Sequence, residues 1–596
     1  MLRRHLLKGA AALPLAAGLA PLAALAATPR RRVRPGDPGW PGAAEWAALG
    51  KAVGGRLAKV ASPLAAAAKA PESPATAELF KALRNPFFIG ETAALTQTLG
   101  WTDAWTSRPS EYAVAAESAA DVAAAVSFAR KHNLRLVVKG GGHSYLGGSN
   151  APDSLLIWTK PMRAIEVHEA FTPKGCKGPA EPAVSIGAGA IWLEAYDAVT
   201  TKAGRYVQGG GCTTVGVAGL VQGGGFGSFS KGFGTGAANL LEAEVVTADG
   251  AVRIANACSN PDLFWALKGG GGGTFGVVTR LTLRTHALPA TFGAVNANIT
   301  ASSDAAYRAL VEQVLSFYRT SLLNPHWGEQ IRFQPRRRLA ISMVFQGMTQ
   351  AEAEAVWKPF FDWLAARAGD YTFGKPQVLA LPARMFWNGA ILKNLAGVVK
   401  TDDRPGAAPD RFFWAGDGDQ VGQVLHAYLS TWLSKDLLQP ARQPALVDAL
   451  IHAANGWGVS LHCNKGLAGA PEQALARTRE TATNPAVVDA FALAITGAGE
   501  GPAYPGVAGH EPADARGRIE AKVAKAAWAP LLALPAKPAS YVSETDYFET
   551  DWQQAFWGEH YPRLRQIKRR YDPDGLFFVH HSVGSEGWSP DGFSRP

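Results

Sequence analysis

Two chemically reactive side chains stand in stretches of the sequence that otherwise consist largely of glycine. His143 lies in KGGGHSYLGGS (139–149), and Cys212 lies in GGGCTTVGVAGLVQGGGFG (209–227). An imidazole and a thiol are both nucleophiles, and neither residue has a partner base at local spacing. The two residues could form a His–Cys catalytic pair, or both could be consumed as covalent anchors of one cofactor.

The glycines around these residues indicate a ligand that carries phosphate groups. A third glycine stretch, ALKGGGGGTFGVVT (266–279), contains neither histidine nor cysteine. Successive backbone N–H groups in such loops form concave anion sites, and runs of consecutive glycines carry an entropic cost that a plain turn does not explain. Three such loops within about 140 residues therefore predict an extended bed for a long, bent, phosphate-bearing ligand.

Two other site types are not supported by the residues. GGGTFG (271–276) fits the dinucleotide pattern G-x-G-x-x-G, but the alternating residues VVTRLTLRT that follow predict a strand where that motif requires a helix. No cluster of His, Cys and Asp has the spacing of a zinc site. We therefore predict neither a Rossmann nucleotide site nor a metal site.

Hydrophobic periodicity predicts the elements that position the glycine loops. Ser118 is placed to cap a helix whose apolar residues recur at helical spacing as far as Ala129. A short buried strand at 134–139 runs directly into the first glycine loop. Further strands are predicted at 155–158, 183–189, 243–250 and 277–285.

The pattern of residues in the sequence changes after residue 290. Helical patterns such as AEAEAVWKPFFDWLAARA alternate with strand-like runs such as LAISMVFQG, and glycine clusters become rarer. This alternation predicts a second domain with an antiparallel sheet and helices on one face. The last segment predicts a helix pair broken at Gly558 and stopped at Asp572-Pro573.

The chain from about residue 107 to 289 resembles the FAD-binding domain of the vanillyl-alcohol oxidase superfamily. LFWALKGGGGGTFGVVT (263–279) is the most specific part of this resemblance. Residues 540–582 are similar to the C-terminal element of berberine bridge enzymes, with the pattern Y-x-R-L-x-x-I-K-x-x-Y-D-P-x-x-x-F intact. Within the superfamily, the tail HHSVGSEGW (580–588) looks like that of secreted alcohol oxidases of the isoamyl alcohol oxidase type.

The resemblance implies an α+β fold, with a two-part PCMH-type FAD-binding domain plus an antiparallel-sheet substrate domain capped by helices. The expected units are a twin-arginine signal peptide (1–26), an N-terminal arm (27–106), the FAD-binding domain (107–289), the substrate-binding domain (290–539) and the berberine-bridge-like C-terminal element (540–586). Residues 27–75 of the arm are rich in Ala, Pro and Gly and predict a linker followed by a loosely packed segment.

The resemblance also implies that FAD is bound covalently at two points. The family's 8α-histidyl bond falls on His143 and its 6-S-cysteinyl bond falls on Cys212. Berberine-bridge relatives place a histidine eight residues after the cysteine; this position is Leu220 here, and we expect Gln222 to substitute for it. The other residues expected to bind FAD are Gly140, Gly141, Gly142, Ser144, Gly147, Gly148, Thr213, Gly216, Gly223, Gly224, Gly225, Gly227, Asn239, Gly276 and Val278.

The activity implied is oxidation of a small-molecule alcohol, either a primary alcohol or a sugar hydroxyl, by hydride transfer to flavin N5, with O2 reduced to H2O2. Val215 stands at the family's gatekeeper position and resembles the small residue of the oxidases. The segment YVSETD (541–546) keeps only part of the family's Y-x-N-Y-x-D pattern. Tyr541 is the expected base, and Glu544 is the alternative because a carboxylate does not need its pKa lowered to accept a proton.

Two other functions stay open at this point. The first is an FAD-dependent dehydrogenase that passes electrons to a quinone or a protein acceptor, and the second is a flavin-binding protein without turnover. The sequence does not identify the substrate. Trp387, Trp414 and Trp457 are candidates to stack on a sugar or aromatic ring, and nothing in the sequence ranks them.

The N-terminus predicts export. Arg3-Arg4 precede an Ala/Leu-rich stretch that ends in an A-x-A cleavage site at 24–26, which resembles a twin-arginine signal and implies a periplasmic or secreted protein with no membrane span after cleavage. The formal net charge of +10 includes the basic residues of this segment. The sequence has no basic face with interleaved aromatic residues, so it does not predict nucleic-acid binding. The four cysteines leave a Cys176–Cys258 disulfide undetermined.

Overall fold

The structure is a computed structural model that describes residues 30–534 and 537–595. The proposed signal peptide at 1–26 lies outside the described residues. Within the described part of the chain, no helix combines the length and the apolar character needed to cross a membrane. The fold is α+β, as expected.

A four-stranded sheet carries the first glycine loop. Its strands are, in spatial order, Leu57–Lys59, Tyr112–Ala115, Ser154–Trp158 and Arg135–Lys139, and the last three run parallel to one another. The predicted helix forms at Ala119–Lys131, and Ser118 caps it: its Oγ accepts a hydrogen bond from Asp121 N at 3.2 Å, while the Asp121 carboxylate accepts one from Ser118 N at 3.0 Å. This reciprocal pair satisfies donors at the start of the helix.

A six-stranded antiparallel sheet forms the second half of the FAD-binding region. Its strands, in spatial order, are Val252–Asn256, Leu240–Val246, Val277–Ala287, Glu181–Gly187 and Ile165–Phe171, with Arg205–Val207 paired to Val277–Ala287. The strand that follows the third glycine loop confirms that GGGTFG does not open a helix. A disulfide joins Cys176 to Cys258 at this sheet, which answers the pairing that the sequence left open.

The largest sheet has ten strands, antiparallel except where Gln423–Ser434 meets Thr98–Trp101 in parallel. One face packs against apolar side chains of four long helices, Asp304–Phe317, Gln350–Ala365, Gln443–Gly456 and Asp514–Leu532. Alternate residues of the strand Arg338–Gln346, from Leu339 to Phe345, are buried against these helices. The strands are Tyr371–Phe373, Thr291–Ala301, Arg338–Gln346, Trp327–Gln334, Val459–His462, Ala490–Glu500, Gln423–Ser434, Thr98–Trp101 and Trp105–Thr106, with Gln377–Pro382 paired to Thr291–Ala301.

The remaining elements are short. Two-stranded sheets join Arg30–Arg31 to Ser594–Arg595 and Val399–Thr401 to Phe412–Trp414. The other α-helices are Ala43–Ala52, Pro63–Lys69, Pro74–Ala82, Pro86–Gly90, Trp192–Tyr196, Val217–Gln222, Ser230–Phe233, Pro261–Leu267, Gly389–Leu392, Glu472–Arg479, Ala486–Asp489, Trp552–Trp557 and Tyr561–Tyr571. The last two form the expected helix pair, separated at Gly558.

Within the described residues, the expectation of a linker and a loosely packed segment at 27–75 is wrong. Trp46 and Val53 are buried in one core cluster with the capped helix, and the strands Thr98–Trp101 and Trp105–Thr106 belong to the largest sheet. The proline-rich composition suggested a linker, yet three of these prolines open helices, at Pro63, Pro74 and Pro86. Proline is well tolerated in the first helical turn, where its missing N–H has no intrahelical partner to lose.

Candidate active site

The first and second glycine loops pack backbone against backbone. A Cβ on Gly141 would lie 2.7 Å from the amide nitrogen of Gly216, and a Cβ on Gly216 would lie 2.9 Å from the amide nitrogen of Gly141. Gly141 follows the strand Arg135–Lys139, and Gly216 precedes the helix Val217–Gln222. Glycine at both positions allows the two loops to approach closely enough to share one site.

This packing brings the two predicted anchors together. His143 and Cys212 line the same cavity. Thr214, two residues after the cysteine, places its hydroxyl 3.2 Å from His143 Nε2. The other residues lining the cavity are Pro86, Gln97, Thr98, Tyr145, Asp417, Gln420, Val421 and Gln423.

The third glycine loop closes on the second. Gly271 N donates a hydrogen bond to the carbonyl oxygen of Gln222 at 2.9 Å, and a Cβ on Gly272 would lie 3.7 Å from Gly219 Cα. The first and third loops both meet Val579 of the C-terminal element, because a Cβ on Gly148 or Gly273 would approach its side chain to 3.0 or 3.3 Å. The three loops therefore converge, as an extended ligand bed requires.

The Gln222 side chain leaves a polar atom free in this bed. Its Nε2 donates to the carbonyl of Ala218 at 3.0 Å, but its Oε1 is buried and has no hydrogen-bond partner among the described residues. A buried carbonyl oxygen without a donor is costly. The residues present therefore fit a polar ligand such as FAD, with Gln222 Oε1 available to accept from it.

The remaining residues expected to bind FAD are eight glycines, three polar residues and Val278. Gly142, Gly147, Gly224 and Gly225 have positive φ, and Gly140, Gly223, Gly227 and Gly276 meet neighbouring chain within 3.2 Å of where a Cβ would be. The polar side chains among them bond within the protein: Ser144 Oγ accepts from Gly148 N, Thr213 Oγ1 donates to Phe412 O, and Asn239 Nδ2 donates to Phe233 O and Thr235 O. Val278 is buried in the strand Val277–Ala287.

Burial shifts the pKa values of the two predicted anchors in opposite directions. It lowers the pKa of His143 to about 4, so the imidazole is neutral at neutral pH and keeps a lone pair on one ring nitrogen. Burial, together with the neighbouring Asp417 carboxylate, raises the pKa of Cys212 well above its ordinary value. The thiol lies 3.4 Å from Asp417 Oδ1 and donates a hydrogen bond to it.

The three residues expected to act on the substrate or on O2 differ in their surroundings. Tyr541 is buried against Phe226, and burial together with the charge of Glu544 raises its pKa. Glu544 forms an ion pair with Lys465. Val215 is half-buried, and its carbonyl accepts a hydrogen bond from Trp192 N at 3.1 Å. The structure thus disfavours ionisation of Tyr541 and places a cation beside Glu544.

The structure adds residues that the sequence did not single out. Asp417 lies in a short 3-10 helix, Ala415–Gln420, that matches no motif. Glu329 is half-buried, accepts a hydrogen bond from Ser228 Oγ at 2.5 Å, and has φ of +65°. A positive φ at a non-glycine residue is uncommon and occurs preferentially at functional sites. No local sequence pattern predicts this backbone conformation at Glu329.

One of the three tryptophans proposed for substrate stacking lies at this site. Trp414 Nε1 donates to the carbonyl of Gly211, next to Cys212, at 2.9 Å. Trp387 is buried in the core and stacks on Tyr196 with ring centroids 4.0 Å apart. Trp457 donates to the carbonyl of Gly497 in the largest sheet. The sequence therefore could not distinguish Trp414, which lies at the site, from Trp387, which lies in the core, because both are tryptophans.

Two family models match the chain. The model described as an FAD binding domain matches residues 110–256, and the model described as berberine and berberine like matches residues 540–584. The two matches cover the predicted FAD-binding region in part and the C-terminal element.

Curated relatives match over nearly the whole chain. The FAD-linked oxidoreductase malF of Malbranchea aurantiaca is 32% identical over 94% of this chain and 93% of its own length. The VAO-type flavoprotein oxidase VAO615 of Thermothelomyces thermophilus is 29% identical, with 95% of each chain covered.

Solved structures agree in fold. The VAO-type flavoprotein MtVAO615 from Myceliophthora thermophila C1 superposes with a TM-score of 0.76 at 26% identity, covering 95% of this chain and all of that one. Glucooligosaccharide oxidase from Acremonium strictum, a protein with 6-S-cysteinyl, 8α-N1-histidyl FAD, shares the fold with a TM-score of 0.60 at 20% identity over 80% of this chain and 92% of its own.

Proposed function

Because the chain belongs to the vanillyl-alcohol oxidase superfamily and carries its berberine-bridge-like C-terminal element, we propose that this FAD-dependent oxidoreductase is an alcohol oxidase that binds FAD covalently at His143 and Cys212. The observation that carries the proposal is that these two residues, 69 positions apart, line one cavity. The proposed substrate is a primary alcohol or a sugar hydroxyl.

FAD, when bound, supplies the acceptor for the hydride of the alcohol and passes the electrons to O2. The residues of the chain would hold the FAD in place. The glycine loops offer backbone N–H groups to the pyrophosphate, Gln222 Oε1 accepts a hydrogen bond, and the neutral imidazole of His143 is in the form that can bond through a ring nitrogen.

The substrate hydroxyl proton needs an acceptor, and we propose Glu544 ahead of Tyr541. Burial and the Glu544 charge both hold the pKa of Tyr541 above its ordinary value, which keeps the phenol protonated at neutral pH. The ion pair with Lys465 holds the Glu544 side chain in place. Proton acceptance by a placed side chain contributes roughly 10²–10⁴-fold to rate.

The proposed location is the periplasm or the exterior, through the twin-arginine pattern of residues 1–26. The Cys176–Cys258 disulfide supports an oxidising compartment, since such bonds persist outside the cytosol. Covalent attachment suits this route, because an exported protein cannot replace lost FAD.

Acid precipitation tests the attachment. The denatured protein is expected to stay yellow for the wild type, His143→Ala and Cys212→Ala, and to lose its colour only for the double variant. A colourless wild-type pellet would refute covalent attachment.

A peroxide assay under air with a panel of alcohols and sugars tests the oxidase proposal. Peroxide that depends on substrate supports the oxidase. Bleaching of the flavin without peroxide would identify a dehydrogenase, and the absence of bleaching by every substrate would identify a binding protein.

A further inference from the structure

We propose that Asp417 is the proton acceptor that activates Cys212 for bond formation to the flavin. This inference rests on the proposed attachment at Cys212. It adds to that proposal a residue from the substrate-binding region of the chain, 205 positions away, that belongs to none of the glycine loops.

Three hydrogen bonds hold the segment 412–417 against the cysteine and its two neighbours. Trp414 Nε1 donates to Gly211 O at 2.9 Å, and Thr213 Oγ1 donates to Phe412 O at 3.1 Å. Between them, Cys212 Sγ donates to Asp417 Oδ1 at 3.4 Å. Bonds on both sides of the cysteine fix the register, so the meeting of thiol and carboxylate does not depend on one flexible side chain.

The Cys212 thiol needs such an acceptor. Only the thiolate is an effective nucleophile, and burial together with the Asp417 charge raises the pKa of Cys212, so the thiol keeps its proton until a neighbouring base takes it. Asp417 is the hydrogen-bond partner of the sulfur within the described residues. Its Oδ1 receives the thiol hydrogen, and its Oδ2 is buried without a hydrogen-bond partner in that same part of the chain, so the carboxylate is not already committed to a cation or a donor elsewhere.

The surroundings of Asp417 also suit proton transfer. Burial raises the pKa of this carboxyl from 3.8 to about 6. The group is therefore still mainly ionised at neutral pH, yet it holds a proton roughly a hundredfold more tightly than an ordinary aspartate. A carboxylate of this kind is a stronger base toward the thiol while it remains available to act.

The step conserves atoms and electrons as follows. The thiol proton of Cys212 passes to Asp417, the sulfur forms a bond to the flavin C6 carbon, and the hydrogen on that carbon leaves as a proton. The two electrons released are taken up by dioxygen, the oxidant, which becomes hydrogen peroxide. Thiol, ring C–H and O2 are consumed, and a thioether and H2O2 are formed.

The first experiment uses a background in which Cys212 is the single remaining anchor. The full chain is produced as His143→Ala and as His143→Ala/Asp417→Asn, incubated with FAD under air, and precipitated with acid. The His143→Ala pellet is expected to stay yellow, and the double-variant pellet to retain at least tenfold less flavin. An equally yellow double-variant pellet overturns the role of Asp417. A colourless His143→Ala pellet overturns the attachment at Cys212 itself, so the two failures are distinguishable.

The second experiment keeps His143, so that the flavin stays bound and the fold is supported. In Asp417→Asn, peptide mass analysis is expected to show the Cys212 peptide mostly without FAD and alkylated by iodoacetamide, while the His143 peptide carries FAD as in the wild type. Asp417→Glu, which restores a carboxylate, is expected to recover the attachment. Asp419→Asn is the matched control, because this exposed residue lies in the same short helix. Full Cys212 attachment in Asp417→Asn would refute the proposal.

Discussion

Replacing Gly141 by alanine is expected to separate the two loops that carry the proposed flavin anchors. The new Cβ would lie 2.7 Å from Gly216 N, 3.1 Å from Thr214 O and 3.3 Å from Gly216 Cα. All three are backbone atoms, so no side-chain rotation relieves the contact. Restoring an ordinary contact of about 3.4 Å requires the loops to part by roughly 0.7 Å.

That displacement has two consequences. Overpacking of this kind destabilises a protein by about 1–3 kcal/mol, which lowers the melting temperature. The separation also moves His143 relative to Cys212, and a misplacement of about 1 Å reduces the rate of a bond-forming step roughly a hundredfold. We therefore expect Gly141→Ala both to melt at a lower temperature and to attach flavin more slowly.

The assay follows attachment and melting side by side. Gly141→Ala and wild type are incubated with FAD under air, and acid-stable flavin is measured over time. Gly178→Ala is the matched control, because this exposed glycine has no atom within 4 Å of an added Cβ and its φ is not positive. Attachment at the wild-type rate together with an unchanged melting temperature in Gly141→Ala would refute the reasoning.

Other substitutions test separate parts of the site. Gln222→Leu removes the unpaired Oε1. In the His143→Ala/Cys212→Ala background, this change is expected to weaken non-covalent FAD binding, measured by flavin fluorescence titration, by about 1–3 kcal/mol. Unchanged affinity would exclude Gln222 from the FAD contacts. Glu544→Gln is expected to slow substrate-dependent bleaching of the flavin at least a hundredfold, whereas Tyr541→Phe is expected to change it severalfold at most; the reverse order in stopped-flow traces would make Tyr541 the base. Cys176→Ser opens a disulfide whose cysteines are 82 residues apart, which lowers stability by about 4 kcal/mol in the chain-entropy estimate and is expected to lower the melting temperature while leaving acid-stable flavin unchanged; loss of the flavin would show that the disulfide supports the site. Val215→Ile is expected to slow reoxidation of the reduced flavin by O2 without slowing its bleaching, and equal reoxidation rates would remove Val215 from the O2 path.

Local patterns in the sequence were sufficient for the elements that carry the loops. The helix Ala119–Lys131, its Ser118 cap and the strand that enters the first loop all depend on residues within a few positions of one another. The same holds for the glycine loops, because a run of consecutive glycines is itself a local pattern that predicts close approach of the backbone to a ligand or to neighbouring chain. Composition misled only in the N-terminal region, where prolines that open helices looked like those of a linker.

The sequence by itself determined which two residues are proposed as anchors and which glycine loops surround them. Only the tertiary structure decided that these residues line one cavity, that Asp417 accepts the hydrogen of Cys212, and that Glu544 pairs with Lys465. The physical reason is separation along the chain. Periodicity and spacing report the neighbours of a residue on its own element, whereas the contact between Cys212 and Asp417, across 205 positions, depends on how the segment 412–417 packs against the FAD-binding region.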